Sequence, residues 1–220
     1  MKFFFKTLII IIISELLILN TSFSATSPKN FNEWLISFEA LALKKGISAK
    51  TIKIVFKDVK FLDQVIKYDR RQPEFFEDTI TYVSKRANIS RAYKAKKLLE
   101  DNKKLFVKVE DEFDVEKEIL LSLWGIETNF GKHVGKMDII SSLATLSYDQ
   151  RRSKFFTSQL LILLELVDKK LINPSTLYGS WAGAYGNFQF MPSSIQRYAL
   201  DYDKNNKIEL KDSLDDSLAS

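Results

Sequence analysis

The chain has 220 residues, 45% of them hydrophobic with 17 Phe, and only seven Gly and four Pro, which suits one helical domain with an ample core. Its formal charge of +5 comes from 33 Lys and Arg mixed among 28 Asp and Glu, a balance without the concentrated basic stripe that nucleic-acid binding requires. With no Cys and a single His, His133, the sequence excludes disulfides, thiol nucleophiles, multi-His zinc sites and His-based triads, so any catalysis rests on carboxylates, hydroxyls, amides and backbone.

The first segment, "MKFFFKTLIIIIISELLILNTSFSATS", sets Lys2 and Lys6 before the apolar runs Leu8–Ile13 and Leu16–Leu19, then small polar residues. This is the layout of a secretory signal over residues 1–24, with Ser22 and Ser24 at the −3 and −1 positions of cleavage. Ser14 and Glu15 interrupt a run that falls short of the ~20 apolar residues a bilayer span needs. The expectation is therefore export, to the periplasm of a Gram-negative type envelope; an uncleaved N-terminus would instead leave the chain associated with the membrane.

Helical spacing continues over Asn30–Lys45, ending at Gly46, then over Ser48–Phe56 and Leu62–Lys67. "DRRQPEFF" (69–76) is a Pro-marked break, followed by helices predicted at Asp78–Ala87 and, as one long element, Arg91–Glu110 with Leu98, Leu99, Leu105, Phe106 and Val109 inward. Asp114 is the expected N-cap of a helix at Val115–Phe130, and a further helix spans Lys154–Lys170 before the Asn173–Pro174 turn. The fold class read from this pattern is mainly α.

Within "LLSLWGIETNFGKHVGK" (120–136), stepping 100° per residue gathers Ile119, Leu120, Leu123, Ile126 and Phe130 on one side. Glu127 falls inside that cluster, far from the helix N-terminus that would stabilise its charge. A carboxyl desolvated in this way has a raised pKa and suits proton donation near neutral pH. The other reading is a glutamate paired with a nearby cation or a helix end. Downstream, "GSWAGAYGNFQFMPSS" (179–194) holds three of the seven glycines between aromatic residues, with Ser180, Asn187 and Gln189 as hydrogen-bonding groups. Flat apolar surfaces alternating with polar groups suit a sugar ring; a tight turn with its aromatics in the core is the alternative.

With those residues in view, "LWGIETNFGKHVGK", "SSLATLSYDQRRSKFF" (141–156), "GSWAGAYGNFQFMPSS" and "YALDYDKNNKIELKDS" (198–213) resemble, in order, the membrane-bound lytic murein transglycosylase B family, over roughly residues 30–220. The resemblance implies a lysozyme-like helical catalytic domain with a helical N-terminal part. It implies cleavage of the β-1,4 bond between N-acetylmuramic acid and N-acetylglucosamine in peptidoglycan glycan strands, leaving a 1,6-anhydro end. It also implies Glu127 as the single catalytic acid and base, with no cofactor required for the reaction. Ser180 and Gln189 match family residues around the scissile bond, Arg151 and Arg152 an arginine pair near the substrate's charged parts, and Tyr82 an aromatic of the cleft.

"DYDKNNKIELKD" (201–212) places Asp201, Asp203 and Asn205 at positions 1, 3 and 5 of an EF-hand-like loop, with the Lys207 carbonyl at 7 and Asp212 at 12. Asn206 stands where the turn glycine is usual, and Asn tolerates the left-handed conformation. A structural Ca2+ is one expectation and a polar loop without an ion the other. Ser220 falls where the family's helix continues, so the domain, residues 25–220, is expected to be incomplete at its C-terminus. On that reading the alternative function is an inactive or split-gene remnant that binds the glycan without turnover, or one whose cleft a second polypeptide completes.

Overall fold

The structure, a computed structural model, describes residues 30–72 and 77–220. The signal expected at residues 1–24 and the Pro73 break lie outside the described residues.

Helices α1 (Phe31–Lys44), α2 (Ala49–Val55), α3 (Asp63–Arg70), α4 (Thr79–Arg86) and α5 (Ile89–Asp101) match the apolar spacing of the sequence. Side-chain caps start several of them: Ser48 accepts from Thr51 N, Asp78 from Thr81 N and Asn88 from Arg91 N. The long helix expected at Arg91–Glu110 is two. Asn102 leaves helical geometry at φ −115°, its side-chain amide donating back to Leu98 O, and α6 (Lys103–Phe113) starts afresh. Local bonding by an amide side chain competes with the helix ladder, which explains the break.

Asp114 is not an N-cap. It closes α6 in the left-handed region at φ 55°, and the N-terminus of α7 (Lys117–Thr128) is satisfied by the Glu110 carboxylate, which accepts from Lys117 N at 3.2 Å. A short two-stranded ladder pairs β1 (Met137–Asp138) with β2 (Tyr178–Gly179), antiparallel, Met137 opposite Gly179. Between its strands lie α8 (Ile139–Tyr148) and α9 (Ser153–Asp168); α10 (Pro192–Tyr198) and α11 (Leu214–Ala219) follow.

Helix α8 is the axis of the larger core. Every residue from Ile139 to Ser147 is buried, including four hydroxyl side chains. Two of these bond the incoming loop: Ser141 Oγ accepts from Lys60 N and Thr145 Oγ1 from Leu62 N at 3.0 Å. Small hydroxyls let a helix be enclosed on all sides while still satisfying loop amides. Around it pack Phe38, Ile52, Val65, Leu160, Leu163, Leu164 and Ile195. A second, smaller core joins α6, α7 and α11 through Phe106, Val109, Leu121, Trp124 and Leu218. Among the described residues no helix is long and apolar enough to cross a membrane.

Candidate active site

Helix α7 buries Leu121, Trp124, Gly125 and Thr128. The face expected to be buried is instead the outward one: Ile119, Leu123 and Ile126 are about half exposed, and Glu127 reaches water with them. The reason lies in Trp124 and Thr128, which anchor the helix by hydrogen bonds as well as by packing. Trp124 Nε1 donates to Asn187 Oδ1 at 3.1 Å, and Thr128 Oγ1 donates to Asn187 O at 2.8 Å.

The carboxyl of Glu127 has no hydrogen-bond or ion-pair partner among the described residues. Its surroundings nevertheless desolvate it enough to push its pKa above the usual glutamate range, and desolvation is the whole of the cause. Accessible to a ligand and reluctant to ionise, it can hand over a proton. The neighbouring groove of about 370 Å³, lined by Arg86, Ile89, Arg91, Leu121, Gly125 and Phe130, does not include Glu127. Chemistry follows the carboxyl, so the site is placed on Glu127 and not on that groove.

Immediately after the helix, Asn129, Phe130 and Gly131 all lie in the left-handed region, at φ 53°, 59° and 77°. Phe130 is a bulky residue for that conformation. Its ring lies against Gly125, where an added Cβ would meet ring carbon Cζ at 2.8 Å, and it stands edge-on to Trp124. The curl sends the chain back to Thr128, whose hydroxyl accepts from Gly131 N at 3.0 Å.

The returning segment lies against 179–190. An added Cβ at Gly135 would stand 2.0 Å from Gly179 O, and Gln189 Nε2 donates to Val134 O and Gly186 O. Gln189 itself has φ 53° and is half-buried, its Oε1 without a partner among the described residues. Ser180 Oγ accepts from Ala184 N at 2.9 Å and from Ala182 N, leaving its own hydrogen to offer. Thus the end of α7 and the segments bearing Gln189 and Ser180 are tied by side chain–backbone bonds and by the close approach of Gly135 to Gly179. Asn187 is different. It is buried, with Nδ2 donating to Lys211 O and Ser217 Oγ, so it is a structural tie and offers nothing to a ligand.

The arginine pair makes its contacts with α3. Arg151 Nε and Nη2 donate to both carboxylate oxygens of Asp69 at 2.8 and 2.9 Å, and Arg152 and Arg70 bond the same group. The Asp69 side chain is 1% exposed. Burial alone would raise its pKa; the hydrogen bonds and charges of Arg151 and Arg152 outweigh it and hold the carboxyl below its ordinary value. Sequence reasoning missed Asp69 because two of its partners, Arg151 and Arg152, are more than eighty positions away. Tyr82 is half-buried under the Arg86 guanidinium, 3.6 Å from its ring centroid.

In the loop, the carboxylates of Asp201 and Asp203 meet that of Asp216, each offering an oxygen within 4.8 Å of the others. Asp212, expected as the twelfth-position ligand, is not in this group. The chain turns at Glu209, which accepts from Asp212 N and Ser213 N, and the first turn of α11 brings Asp216 in instead. Buried Asp216 also closes the loop by accepting from Tyr202 N at 2.8 Å and Glu209 N at 2.9 Å. Asn206 takes the left-handed turn position, φ 67°, as expected. Three carboxylates so close repel one another, a set of oxygens that suits a divalent cation.

Residues 30–220 match the family model described as the transglycosylase SLT domain. Membrane-bound lytic murein transglycosylase B of Escherichia coli (strain K12) is 39% identical over 104 residues, 47% of this chain and 29% of that protein. Among solved structures, SltB3 from Pseudomonas aeruginosa in complex with NAG-NAM-pentapeptide superposes with a TM-score of 0.82 at 34% identity, covering 87% of this chain and 51% of that one. The Escherichia coli lytic transglycosylase Slt35 in complex with calcium gives 0.73 at 28% identity, covering 84% and 59%. The chain thus spans about half the length of the solved relatives it matches.

Proposed function

Since this chain belongs to the transglycosylase SLT domain family, we propose that it is a lytic transglycosylase of the bacterial cell wall, with Glu127 as its acid and base. Peptidoglycan glycan strands are the substrate, and the bond cleaved is the β-1,4 link from N-acetylmuramic acid to N-acetylglucosamine. The observation that carries this reading is a carboxyl without a partner among the described residues and with a raised pKa, on a helix whose end is bonded to the 179–190 segment through Thr128 and Asn187 O.

Glu127 gives its proton to the glycosidic oxygen as the C1–O bond breaks, and the acetamido oxygen of the muramoyl residue takes up the positive charge at C1. The carboxylate then removes the proton of the 6-hydroxyl, whose oxygen closes onto C1 and displaces the acetamido group. Substrate assistance replaces the second carboxylate that most glycosidases use. The free Ser180 hydroxyl and Gln189 Oε1 would hold sugar hydroxyl and amide groups. Arg151 and Arg152 keep their positive charge partly exposed and would attract the peptide-bearing side, and Tyr82 would line the strand's path.

Residues 1–24 would direct export to the periplasm, with 25–220 forming the transglycosylase domain. A calcium ion would be structural, held by Asp201, Asp203 and Asp216 with Asn205 and the Lys207 carbonyl; a similar protein has been solved with calcium.

Digestion of murein sacculi followed by mass analysis tests the reaction. The expected result is anhydro-ended muropeptides from the wild type and none from Glu127→Gln. Sacculi bound but uncleaved by both would refute turnover and leave a glycan-binding protein.

A further inference from the structure

Tyr68 and Trp181 come from distant parts of the chain, the last turn of α3 and the Gly-rich segment, yet their ring centroids lie 6.4 Å apart at 47°. Tyr68 is 43% exposed. Trp181 is half-buried, one side resting on the larger core. Neither the Tyr68 hydroxyl nor the Trp181 indole N–H has a protein hydrogen-bond partner among the described residues. Partly exposed aromatic surface therefore stands here with an unpaired donor on each ring.

Both rings sit on stiff supports. Beside Tyr68, Asp69 is gripped by Arg70, Arg151 and Arg152, which fastens the end of α3 to the turn between α8 and α9. Beside Trp181, the Ser180 hydroxyl holds the next turn through Ala182 N and Ala184 N, and Gly183 N donates to Ser180 O at 3.2 Å. Such rigidity lowers the ordering cost of binding.

We propose that Tyr68 and Trp181 form a sugar-binding platform that takes one ring of the glycan strand, next to the ring contacted by Ser180. The proposal rests on the glycan-cleaving reading and extends it to one further subsite. Pyranose rings present C–H faces to aromatic surfaces and hydroxyls at their rims, matching this pair of faces and donors. Trp181 follows Ser180 directly in the chain, which keeps the platform within reach of a strand that Ser180 contacts.

The test uses the full chain carrying Glu127→Gln, which holds substrate without cleaving it, and calorimetric titration with peptide-free disaccharide and hexasaccharide of alternating NAG and NAM. Adding Tyr68→Ala is expected to weaken the hexasaccharide roughly three- to tenfold and the disaccharide much less. Tyr68→Phe, which keeps the ring, is expected to retain most of the affinity. The exposed position leaves the fold intact, and an unchanged melting temperature checks this; Tyr68→Leu serves as the second variant. Equal weakening at both lengths, or none for the hexasaccharide, overturns the platform. If the Glu127→Gln parent binds neither sugar, the substrate reading itself fails, whereas normal parent binding with a neutral Tyr68→Ala removes only this subsite.

Discussion

Replacing Asn187 by Ala should be among the most damaging single changes near the site, although this residue reaches no ligand. Its Oδ1 accepts from Trp124 Nε1 at 3.1 Å, and its Nδ2 donates to Lys211 O at 3.0 Å and Ser217 Oγ at 3.2 Å. Each of these bonds contributes about 1 kcal/mol net, and the orphaned indole N–H adds roughly 1–2 kcal/mol of unrelieved desolvation. Leu210 O and Ser217 Oγ lose less, because Asn187 N still donates to the former and Ser217 donates elsewhere. The sum is about 4 kcal/mol, or about 10 °C in melting temperature for a chain of this size. Urea denaturation of wild type, Asn187→Ala, Trp124→Phe and the double variant measures it. The Trp124 and Asn187 losses should overlap by about 1 kcal/mol or more. A loss below about 1 kcal/mol for Asn187→Ala, or strict additivity in the cycle, would refute the view that this amide binds α7 to α11.

Three further outcomes are expected. Because the Glu127 pKa is raised, kcat/KM on sacculi should fall as pH rises through that elevated value. Sign and stability agree, since ionising Glu127 disfavours the folded state; Glu127→Gln should therefore melt no lower than wild type above that pH, and a lower melt would contradict the desolvation. Gly135→Ala places a Cβ 2.0 Å from Gly179 O at φ +88° and should cost more than about 3 kcal/mol in urea denaturation, with loss of activity as β1 and β2 are forced apart. Millimolar Ca2+ should raise the melting temperature over a chelator control, and Asp203→Ala, an exposed change, should abolish that increment while leaving the chelated melt nearly unaltered; identical wild-type melts with and without calcium would exclude the ion.

Much of the helical framework was legible because periodic apolar residues and capping side chains act locally. Ser48, Asp78 and Asn88 announce helix starts within three residues of their bonds. The raised pKa of Glu127 was also anticipated, but on the wrong face of α7. A helical wheel counts apolar side chains, and here Trp124 and Thr128 won the inward face through bonds to Asn187, about sixty residues away. The same blindness hid Asp69, which looks like one charge in a charged run until α3 meets Arg151 and Arg152. Asp216 was missed because loop spacing was counted to the twelfth position, whereas the backbone turn at Glu209 postponed the last carboxylate to α11. Asn102 and Asp114 were misjudged on local grounds, since Asn and Asp fit both helix ends and starts.

The run of left-handed residues from Asn129 to Gly131 has a bearing on how an acid can be both well aimed and strong enough to act. Fixing a carboxyl with a donor side chain steadies it, yet the same donor stabilises the anion and drains the drive to release a proton to substrate. Here the support comes from the main chain: three successive left-handed residues close the helix end, with the Phe130 ring packed against Gly125 and Trp124. On the proposed role of Glu127, support and raised pKa then have separate causes, the main chain for the one and desolvation for the other.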